Sequence, residues 1–267
     1  MRHRLHQLLA GLGPGPFYAW RTLEEAIVFA RRLRVSPGKT VADSKSIYER
    51  YDDREQRDYE SRSRLAYYRG QLREMSFRDI RARYLEYLCE ELKPPLRILE
   101  VGCGNCINLM ELRRRYSSAV ELHGLDVSAQ RITVARKHYG DALDGVEFTV
   151  GSITERTPWP DRHFDVVYSM FCLEQIAYET RSAVAEMMRL ARSKVVMIEP
   201  VYELAGIAQR LYLYNADHTR ILLKSIRDLG VVPARLESLD ISDNPVNQSS
   251  IVVLDSAAAA AAPRPAV

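Results

Sequence analysis

The 267-residue sequence lacks the features typical of membrane proteins and of nucleic-acid-binding proteins. Its apolar stretches are far shorter than the ~20 residues that a membrane-spanning helix needs. The net charge is only +3, and the basic residues form no concentrated stripe. The basic start, residues 1–5, is followed by Gln7 and by a glycine- and proline-rich segment at 11–16, which interrupts any signal-peptide core. We therefore expect a cytoplasmic protein with no membrane partner, and a nucleic-acid partner is disfavoured.

Cysteine is scarce, with Cys89, Cys103, Cys106 and Cys172 in the whole chain. Cys103 and Cys106 form a C-x-x-C pair, a spacing found in redox and zinc sites. No second pair and no nearby histidine completes a zinc site, so no metal is predicted. A redox pair stays open as an alternative. We favour the interpretation that the two cysteines are small side chains filling a crowded glycine loop.

That loop is the most informative stretch of the sequence. The apolar run Leu96–Val101 predicts a buried strand, Gly102 and Gly104 follow at once, and a helical pattern begins at Ile107. A strand that ends in glycines and continues as a helix directs free backbone N–H groups towards the space above the sheet. The pattern therefore predicts a ligand that needs close approach to the backbone.

The region before this strand shows helical periodicity and no strand pattern. We expect residues 1–95 to form a helical cap that lies on the domain after it. The predicted helices cover residues 1–12 and 22–33, a third begins at Asp43 or Ser44, and a fourth runs from Ser76 to Leu92.

From Leu96 onwards, apolar strand patterns alternate with helical ones. This alternation predicts a doubly wound, mostly parallel sheet with helices on both faces. The last two strands are joined by a short connection, so they are predicted to be antiparallel and to end the sheet in a hairpin. Residues 96–255 would form this domain, and the tail 256–267, rich in alanine and proline, is expected to be disordered. The predicted strands lie at 96–101, 119–125, 146–150, 164–169, 194–198, 231–241 and 250–254.

The glycine spacing restricts the ligand. In a dinucleotide fingerprint, G-x-G-x-x-G, the third glycine would fall at Ile107, whose branched side chain hinders close packing of helix and strand. No Gly-Lys-Ser/Thr follows, as a phosphate-binding P-loop requires. Phosphate ligands are therefore disfavoured.

Several motifs instead follow one another in the order of a known family. They are the loop Glu100–Cys106, the acidic Asp126 at the end of the second strand, residues 150–153 after the third, and residues 159–169 leading into the fourth. In these motifs the sequence resembles the class I S-adenosylmethionine-dependent methyltransferases, over about 160 residues from 96 to 254. The resemblance implies a Rossmann-like seven-stranded sheet with a C-terminal antiparallel hairpin, and S-adenosyl-L-methionine as cofactor.

The resemblance also implies roles for individual residues. Asp126 would accept hydrogen bonds from the ribose hydroxyls, and Glu100 would hold the loop or reach the ammonium group of the cofactor through water. Cys106 stands where the family often has a third glycine, and Ser152 where it often has an acid, which puts the affinity in doubt. The implied cofactor-binding residues are Glu100, Gly102, Cys103, Gly104, Asp126, Val127, Ser152, Ile153, Ser169 and Met170.

The methyl acceptor is less well defined. The family's Asp/Asn-Pro-Pro-Tyr/Phe box, which marks methylation of amino groups in bases or glutamine, is replaced by residues 168–171. Candidate catalytic bases are Glu174, which also fits as a helix-starting acid, and His218, which also fits as an inert surface histidine. The substrate-binding candidates, each with packing as the alternative, are Tyr48, Tyr51, Glu199 and Tyr202.

Together these features predict a methyltransferase that acts on an O or N atom of a small or medium-sized acceptor. Two alternatives stay open, methylation of a peptide, protein or RNA and a catalytically inactive partner subunit with the same fold. A homodimer is one option for its assembly.

Overall fold

The structure, a computed structural model, describes residues 2–35 and 63–256. Its helices are α1 (Arg2–Gly11), α2 (Pro14–Val35), α3 (Phe77–Glu90), α4 (Ile107–Tyr116), α5 (Ala129–Tyr139), α6 (Thr180–Leu190), α7 (Ile207–Ala216) and α8 (Leu222–Asp228). Its strands are β1 (Ser63–Tyr68), β2 (Gln71–Ser76), β3 (Leu96–Val101), β4 (Val120–Asp126), β5 (Glu147–Val150), β6 (Phe164–Met170), β7 (Ala191–Pro200), β8 (Arg235–Ser238), β9 (Ile241–Ser242) and β10 (Ser249–Asp255).

A seven-stranded sheet forms the centre of the molecule, in the order β5-β4-β3-β6-β7-β10-β8. The first five of these strands are parallel, and β10 pairs antiparallel with both β7 and β8. The strand order reverses beside β3, which lies between β4 and β6, and ligands bind at such a switch point in open α/β sheets. The predicted doubly wound sheet with a C-terminal antiparallel hairpin is confirmed.

Burial explains why the central strands consist of consecutive apolar residues in the sequence. The segment Ile98–Val101 of β3 is almost completely buried, and so is Val195–Pro200 of β7. Helices cover both faces of a parallel sheet, so its strands have no solvent-facing side that would call for alternating polar residues. At the fourth predicted helix, α3, the Ser76 side chain accepts a hydrogen bond of 3.1 Å from the Asp79 backbone, which confirms that N-cap.

The prediction of an entirely helical region before Leu96 is wrong for residues 63–76. These residues form the hairpin β1–β2, and β1 also pairs antiparallel with β9, which gives a small sheet in the order β2-β1-β9. Arg69 and Gly70 form the two-residue turn, both with positive φ, which suits the twist of a hairpin. The alternating burial of β1 places Ala66 and Tyr68 in the core. Gly70 is thus the second residue of a hairpin turn.

The start of α2 also differs from the prediction. Thr22 does not cap a helix, because its hydroxyl donates to the Tyr18 carbonyl oxygen (2.8 Å) inside a helix that already begins at Pro14. The same helix is tied to α7 by the Asn215 side chain, which donates to the backbone and carboxylate oxygens of Glu25 (2.9 and 2.8 Å).

Some predictions fall on residues outside the described ranges, so they stay predictions. These are the helix start at Asp43 or Ser44, the substrate-binding role of Tyr48 and Tyr51, and the disorder of the tail. Within the described ranges, no helix combines the length and apolar character needed to cross a membrane.

Candidate active site

Two cavities open at the carboxyl ends of β3, β4 and β6. The first has a volume of about 550 Å³ and the second about 220 Å³. They share Gly102, Arg131, Phe171 and Gln175. The first cavity is lined by residues 101–102, 125, 127–131, 151–155, 171–172 and 175–179, and the second by residues 64, 77, 81, 102–105, 107–108, 131, 170–171, 174–175, 212, 243–244 and 247.

Two glycines let other side chains approach the loop after β3. Gly102 has a φ of +72°, and a Cβ there would lie 2.6 Å from the Cβ of Cys172 and closer still to its sulfur. Gly104 has a φ of +46°, and a Cβ there would lie 2.7 Å from the guanidinium carbon of Arg131. Neither position accepts a side chain without movement of its neighbour, because real Cβ atoms do not approach heavy atoms so closely. The glycines therefore let Cys172 and Arg131 pack against the loop, where Arg131 lines both cavities and Cys172 lines the first.

The two cysteines of the loop are part of its packing. Cys103 and Cys106 are buried, and both are free thiols. The sulfur of Cys103 occupies the space beside Gly124, where a Cβ would lie 2.8 Å from it. Within residues 2–35 and 63–256, no group of three or more His, Cys, Asp or Glu side chains is arranged to hold a metal ion. This packing agrees with the interpretation of both cysteines as fillers of the loop.

Asp126 lies at the end of β4 and connects the loop to the next helix. Its two carboxylate oxygens accept hydrogen bonds from the backbone N–H groups of Gly104 and Ser128, both at 2.8 Å. The side chain is buried, and its neighbours Leu125 and Val127 line the first cavity. Each carboxylate oxygen has a second lone pair, so the group is still able to accept hydrogen bonds from a ligand.

Glu100 lies under the loop, completely buried in β3. The Asn108 side chain donates to one of its carboxylate oxygens (2.6 Å). Burial raises the pKa of Glu100 to about 8. Among the described residues, the second carboxylate oxygen of Glu100 and the side-chain oxygen of Asn108 have no hydrogen-bond partner. Since Asn108 lines the second cavity, these oxygens provide unused acceptors next to it.

The fold brings together the two predicted catalytic residues, which are 44 positions apart in the chain, Glu174 after β6 and His218 after α7. His218 Nδ1 lies 3.4 Å from Glu174 Oε2, and the Asn247 side chain donates to the same oxygen (3.2 Å). Glu174 is buried and lines the second cavity. Burial, and then the negative charges of Glu199 and Asp243, raise its pKa well above the ordinary value. The site therefore holds a carboxyl group with unusually high proton affinity.

Glu199, a predicted substrate-binding residue, has a different environment. It is fully buried and lines neither cavity. Its carboxylate accepts hydrogen bonds from the Ser169 hydroxyl (2.9 Å) and from the backbone N–H groups of Cys172 (3.0 Å), Leu173 (3.0 Å) and Glu174 (3.1 Å). This arrangement fixes the turn that carries Glu174.

The other predicted site residues divide between the cavities. Met170, Cys103 and Gly104 line the second cavity, whereas Val127, Ser152 and Ile153 line the first. The Ser152 hydroxyl lies 2.8 Å from that of Thr154, within the loop after β5. Ser169 and Tyr202 line neither cavity, and Tyr202 instead packs under the guanidinium group of Arg210.

Sequence reasoning missed Arg81, which lines the second cavity from α3. Its guanidinium carbon lies 4.7 Å from the ring centroids of both Phe77 and Phe171. Its Nε is buried and has no hydrogen-bond partner in the described part of the chain. The residue stands among five other arginines of residues 64–83, so no sequence signal separated it from solvated neighbours.

Comparisons with known proteins agree with this architecture. Residues 98–194 match the family model of a methyltransferase domain. The chain is 28% identical over 119 residues to ajmaline N-methyltransferase of Rauvolfia serpentina, covering 43% of this chain and 39% of that protein. It is 26% identical over 153 residues to the ubiquinone/menaquinone biosynthesis C-methyltransferase UbiE of Laribacter hongkongensis, covering 51% of this chain and 62% of that protein. The matches thus span less than two thirds of either relative.

The same fold occurs in solved structures. A SAM-dependent methyltransferase from Aquifex aeolicus superposes with a TM-score of 0.53 at 14% identity, covering 77% of this chain and 99% of that one. The sheet order is that of a doubly wound α/β fold, and the glycine loop lies at its switch point. Proteins of this fold bind their ligands at that position. Together with the match of residues 98–194 to a methyltransferase domain, the sheet order and the glycine loop agree with the resemblance to the class I S-adenosylmethionine-dependent methyltransferases. The match confirms the predicted resemblance to this family, whose cofactor is S-adenosyl-L-methionine.

Proposed function

We propose that this protein transfers a methyl group from S-adenosylmethionine to an O or N atom of a small or medium-sized acceptor, with the adenosine part of the cofactor in the first cavity and the acceptor in the second. The observation that carries the proposal is the position of Glu174, a buried carboxyl group in contact with His218, in the wall of a cavity that shares lining residues with the first.

The residues of the first cavity fit the adenosine group. Ile153 and Val127 offer apolar contact for a planar base, and the volume of about 550 Å³ lies within the range of small-molecule sites. The lone pairs of Asp126 that its backbone partners leave unused suit the two ribose hydroxyls.

The methionine end of the cofactor has partners at the border with the second cavity. The unpaired oxygens of Glu100 and Asn108 suit its ammonium group, and the guanidinium group of Arg81 suits its carboxylate. When bound, the cofactor supplies a methyl group on a sulfonium, which is an excellent leaving group.

The protein then has to orient the acceptor and accept a proton from it. Glu174 is the proposed base because its proton affinity is raised. A carboxylate with raised proton affinity matches the proton affinity of the methyl acceptor better than an exposed carboxylate does. His218 and Asn247 hold its carboxyl group in place. The small volume of the cavity, about 220 Å³, favours a small acceptor or the small end of a larger one.

Two measurements test this proposal. Calorimetry with S-adenosylhomocysteine should detect binding to the purified protein, and the absence of binding would overturn the assignment of the first cavity. Incubation with S-adenosylmethionine labelled in its methyl group and a library of small alcohols, phenols and amines, followed by mass spectrometry, should yield a labelled O- or N-methyl product. Glu174→Gln should slow formation of that product, while affinity for S-adenosylhomocysteine stays the same.

A further inference from the structure

The part of the second cavity around Glu174 is rich in hydrogen-bond acceptors. Glu174, Asp243 and Asn247 all line it, the first from the segment after β6 and the other two from the loop between β9 and β10. We call these three residues the acceptor corner. Asn247 is 4% exposed, and its amide nitrogen donates to Glu174. Its side-chain oxygen has no hydrogen-bond partner within the described ranges. A buried oxygen without a partner indicates that a ligand or a water molecule supplies the missing donor.

Several carboxyl groups lie close together around the corner. Glu199 lies directly behind Glu174, where its carboxylate accepts the Glu174 backbone N–H (3.1 Å). The pKa of Tyr212, which also lines the cavity, is raised to about 12 by burial and then by the negative charges of Glu174 and Asp243. Three arginines line the cavity. Arg64 lies 3.3 Å from Asp243, the Arg81 guanidinium group lies against two aromatic rings, and Arg131 lies beside Gly104, away from Glu174. A ligand with several N–H donors would complement the acceptor corner.

We infer that the methyl acceptor is an amine, and that its nitrogen binds in the acceptor corner between the Glu174 carboxylate and the side-chain oxygen of Asn247. This inference rests on the proposed function and selects nitrogen from its two alternatives. The ammonium group of a primary or secondary amine has at least two N–H donors, one for Glu174 and one for the unpaired oxygen of Asn247, whereas a hydroxyl group has only one. A hydroxyl acceptor would therefore pair with one of these two side chains and not with both.

The proposed transfer accounts for the proton, the methyl group and the positive charge. Glu174 takes one proton from the bound ammonium group, so that the nitrogen regains its lone pair. This lone pair forms the bond to the methyl carbon as the bond from that carbon to the sulfonium sulfur breaks, and the electrons of the broken bond stay on sulfur. The positive charge thus passes from sulfur to the methylated nitrogen. Glu174 is neutral once it holds the proton, so the side-chain oxygen of Asn247 is the acceptor that stabilises the charge developing on nitrogen in the transition state.

The test uses benzylamine and benzyl alcohol, two probes of nearly equal size that differ in the group offered to the corner. Their dissociation constants are measured by calorimetry on the full-length protein saturated with S-adenosylhomocysteine. We expect benzylamine to bind roughly tenfold or more tightly than benzyl alcohol, because it gains charge-assisted hydrogen bonds. Glu174→Gln keeps the shape but removes the charge, so the ratio should fall to about threefold or less.

Asp217→Asn is the matched control. Asp217 precedes His218 and has a φ of 60°, which asparagine also adopts readily, and it lines neither cavity. This variant should keep the full preference for the amine. Asn247→Asp adds a carboxylate to the corner and should increase the preference, which provides a second test should Glu174→Gln fail to fold.

The binding measurements distinguish a failure of the amine inference from a failure of the proposed methyltransferase function. Equal affinity for the two probes, undetectable binding of benzylamine, or a preference that survives in Glu174→Gln would overturn the amine inference while binding of S-adenosylhomocysteine still supports the proposed function. Failure of S-adenosylhomocysteine itself to bind would overturn both.

Discussion

The two cavities share four residues but are built from different parts of the chain. The first is lined only by residues 101–179, which follow successive strands of the parallel sheet. The second is lined by residues that range from 64 to 247 and come from the hairpin, α3, the glycine loop, α7 and the segment after β9. The cavity proposed for the cofactor is therefore formed by the parallel sheet and its loops, whereas the cavity proposed for the acceptor is assembled from elements around that sheet.

The cavities also differ in chemistry. The first offers apolar side chains together with hydroxyls and backbone groups of loops, which suits a ligand common to a large family. The second contains buried carboxyl groups, amides and arginines whose charges act on one another. Changes in the first should thus alter cofactor affinity, and changes in the second should alter acceptor selection and the pH dependence.

The largest expected effect is that of Asp126→Ala on the cofactor side. The substitution leaves the backbone N–H groups of Gly104 and Ser128 without their carboxylate and removes the proposed ribose partner. We expect the affinity for S-adenosylhomocysteine to fall roughly a hundredfold, since hydrogen bonds to charged groups contribute about 1.5–3 kcal/mol each. Calorimetry measures the change.

Asp165→Ala provides the control for Asp126. Asp165 lies near the opposite end of the sheet, where it accepts a hydrogen bond from the Arg97 backbone (2.8 Å) and pairs with Arg192 (2.9 Å). Its loss should leave the cofactor affinity unchanged. An Asp126→Ala protein that binds as tightly as the parent would remove Asp126 from the site.

A second prediction concerns Gly102, which lines both cavities. Gly102→Ala combines a strained backbone with a collision against Cys172, while Gly230→Ala has nearly the same φ (+73° against +72°) and no neighbour within 4 Å. We expect Gly102→Ala to lose about 2 kcal/mol more unfolding free energy than Gly230→Ala, because only the former overpacks its surroundings. Urea unfolding of both variants gives the difference.

A double variant tests whether Cys172 causes the difference between Gly102→Ala and Gly230→Ala. Adding Cys172→Gly to Gly102→Ala removes both colliding atoms, the sulfur and the Cβ of Cys172, and should restore part of the lost stability, but the same change should not help Gly230→Ala. Equal losses for the two glycine variants would mean that backbone strain alone, and not the approach of Cys172, requires glycine at 102.

The third prediction uses pH. The pKa of Glu100 is raised from 4.5 to about 8, so the folded protein holds this proton more tightly than the unfolded chain. The resulting stabilisation is complete below pH 4.5 and is lost as the pH rises towards 8. Between pH 5 and 7 we expect Glu100 alone to reduce the unfolding free energy by about 2 kcal/mol, a loss that Glu100→Gln should abolish.

Glu121→Gln is the control for this experiment. Glu121 lies on the neighbouring strand β4 but is exposed, and its pKa is lowered by its hydrogen bonds to His123 and Arg97, which outweigh desolvation. Its replacement should leave the decline between pH 5 and 7 in place. A decline of the same slope in Glu100→Gln would show that the other buried carboxyl groups cause it.

The smallest effect is expected at the border of the two cavities. Arg81→Ala removes the cation proposed to bind the carboxylate of the cofactor, and we expect about tenfold weaker binding of S-adenosylhomocysteine. Arg83→Ala, two positions along α3, removes an exposed arginine that pairs with Glu86 (2.7 Å) and should have no effect. Equal affinities for the two variants would contradict the role of Arg81.

The difference between the cavities also explains how far the sequence could predict the site. The loop at Gly102 and the acid at Asp126 stand at fixed places relative to their strands, so local patterns identified both. Glu174 and His218 were each predicted as a candidate catalytic base, but their contact depends on how α7 packs. No local sequence pattern predicts that packing. Arg81 and Asn247 reach the second cavity only through the tertiary fold.

The errors before Leu96 have a similar cause. Residues 65–68, Leu-Ala-Tyr-Tyr, suit a helix or a strand equally well by composition, and the partner that selects the strand, β9, lies near the other end of the chain. Thr22 and Glu25 match a capping box in sequence, but the helical residues before Thr22 leave no helix end to cap.

The pairing of β1 with β9 has a consequence for the order of folding. The strands and loops of the first cavity are complete once the chain has been synthesised to about residue 200, whereas β1 waits for residues 241–242. Such long-range pairing is slow because a large loop must close before any contact is gained. We therefore expect a nascent chain to form the cofactor half first, and the acceptor half, which includes Asp243 and Asn247, only after synthesis has passed β9.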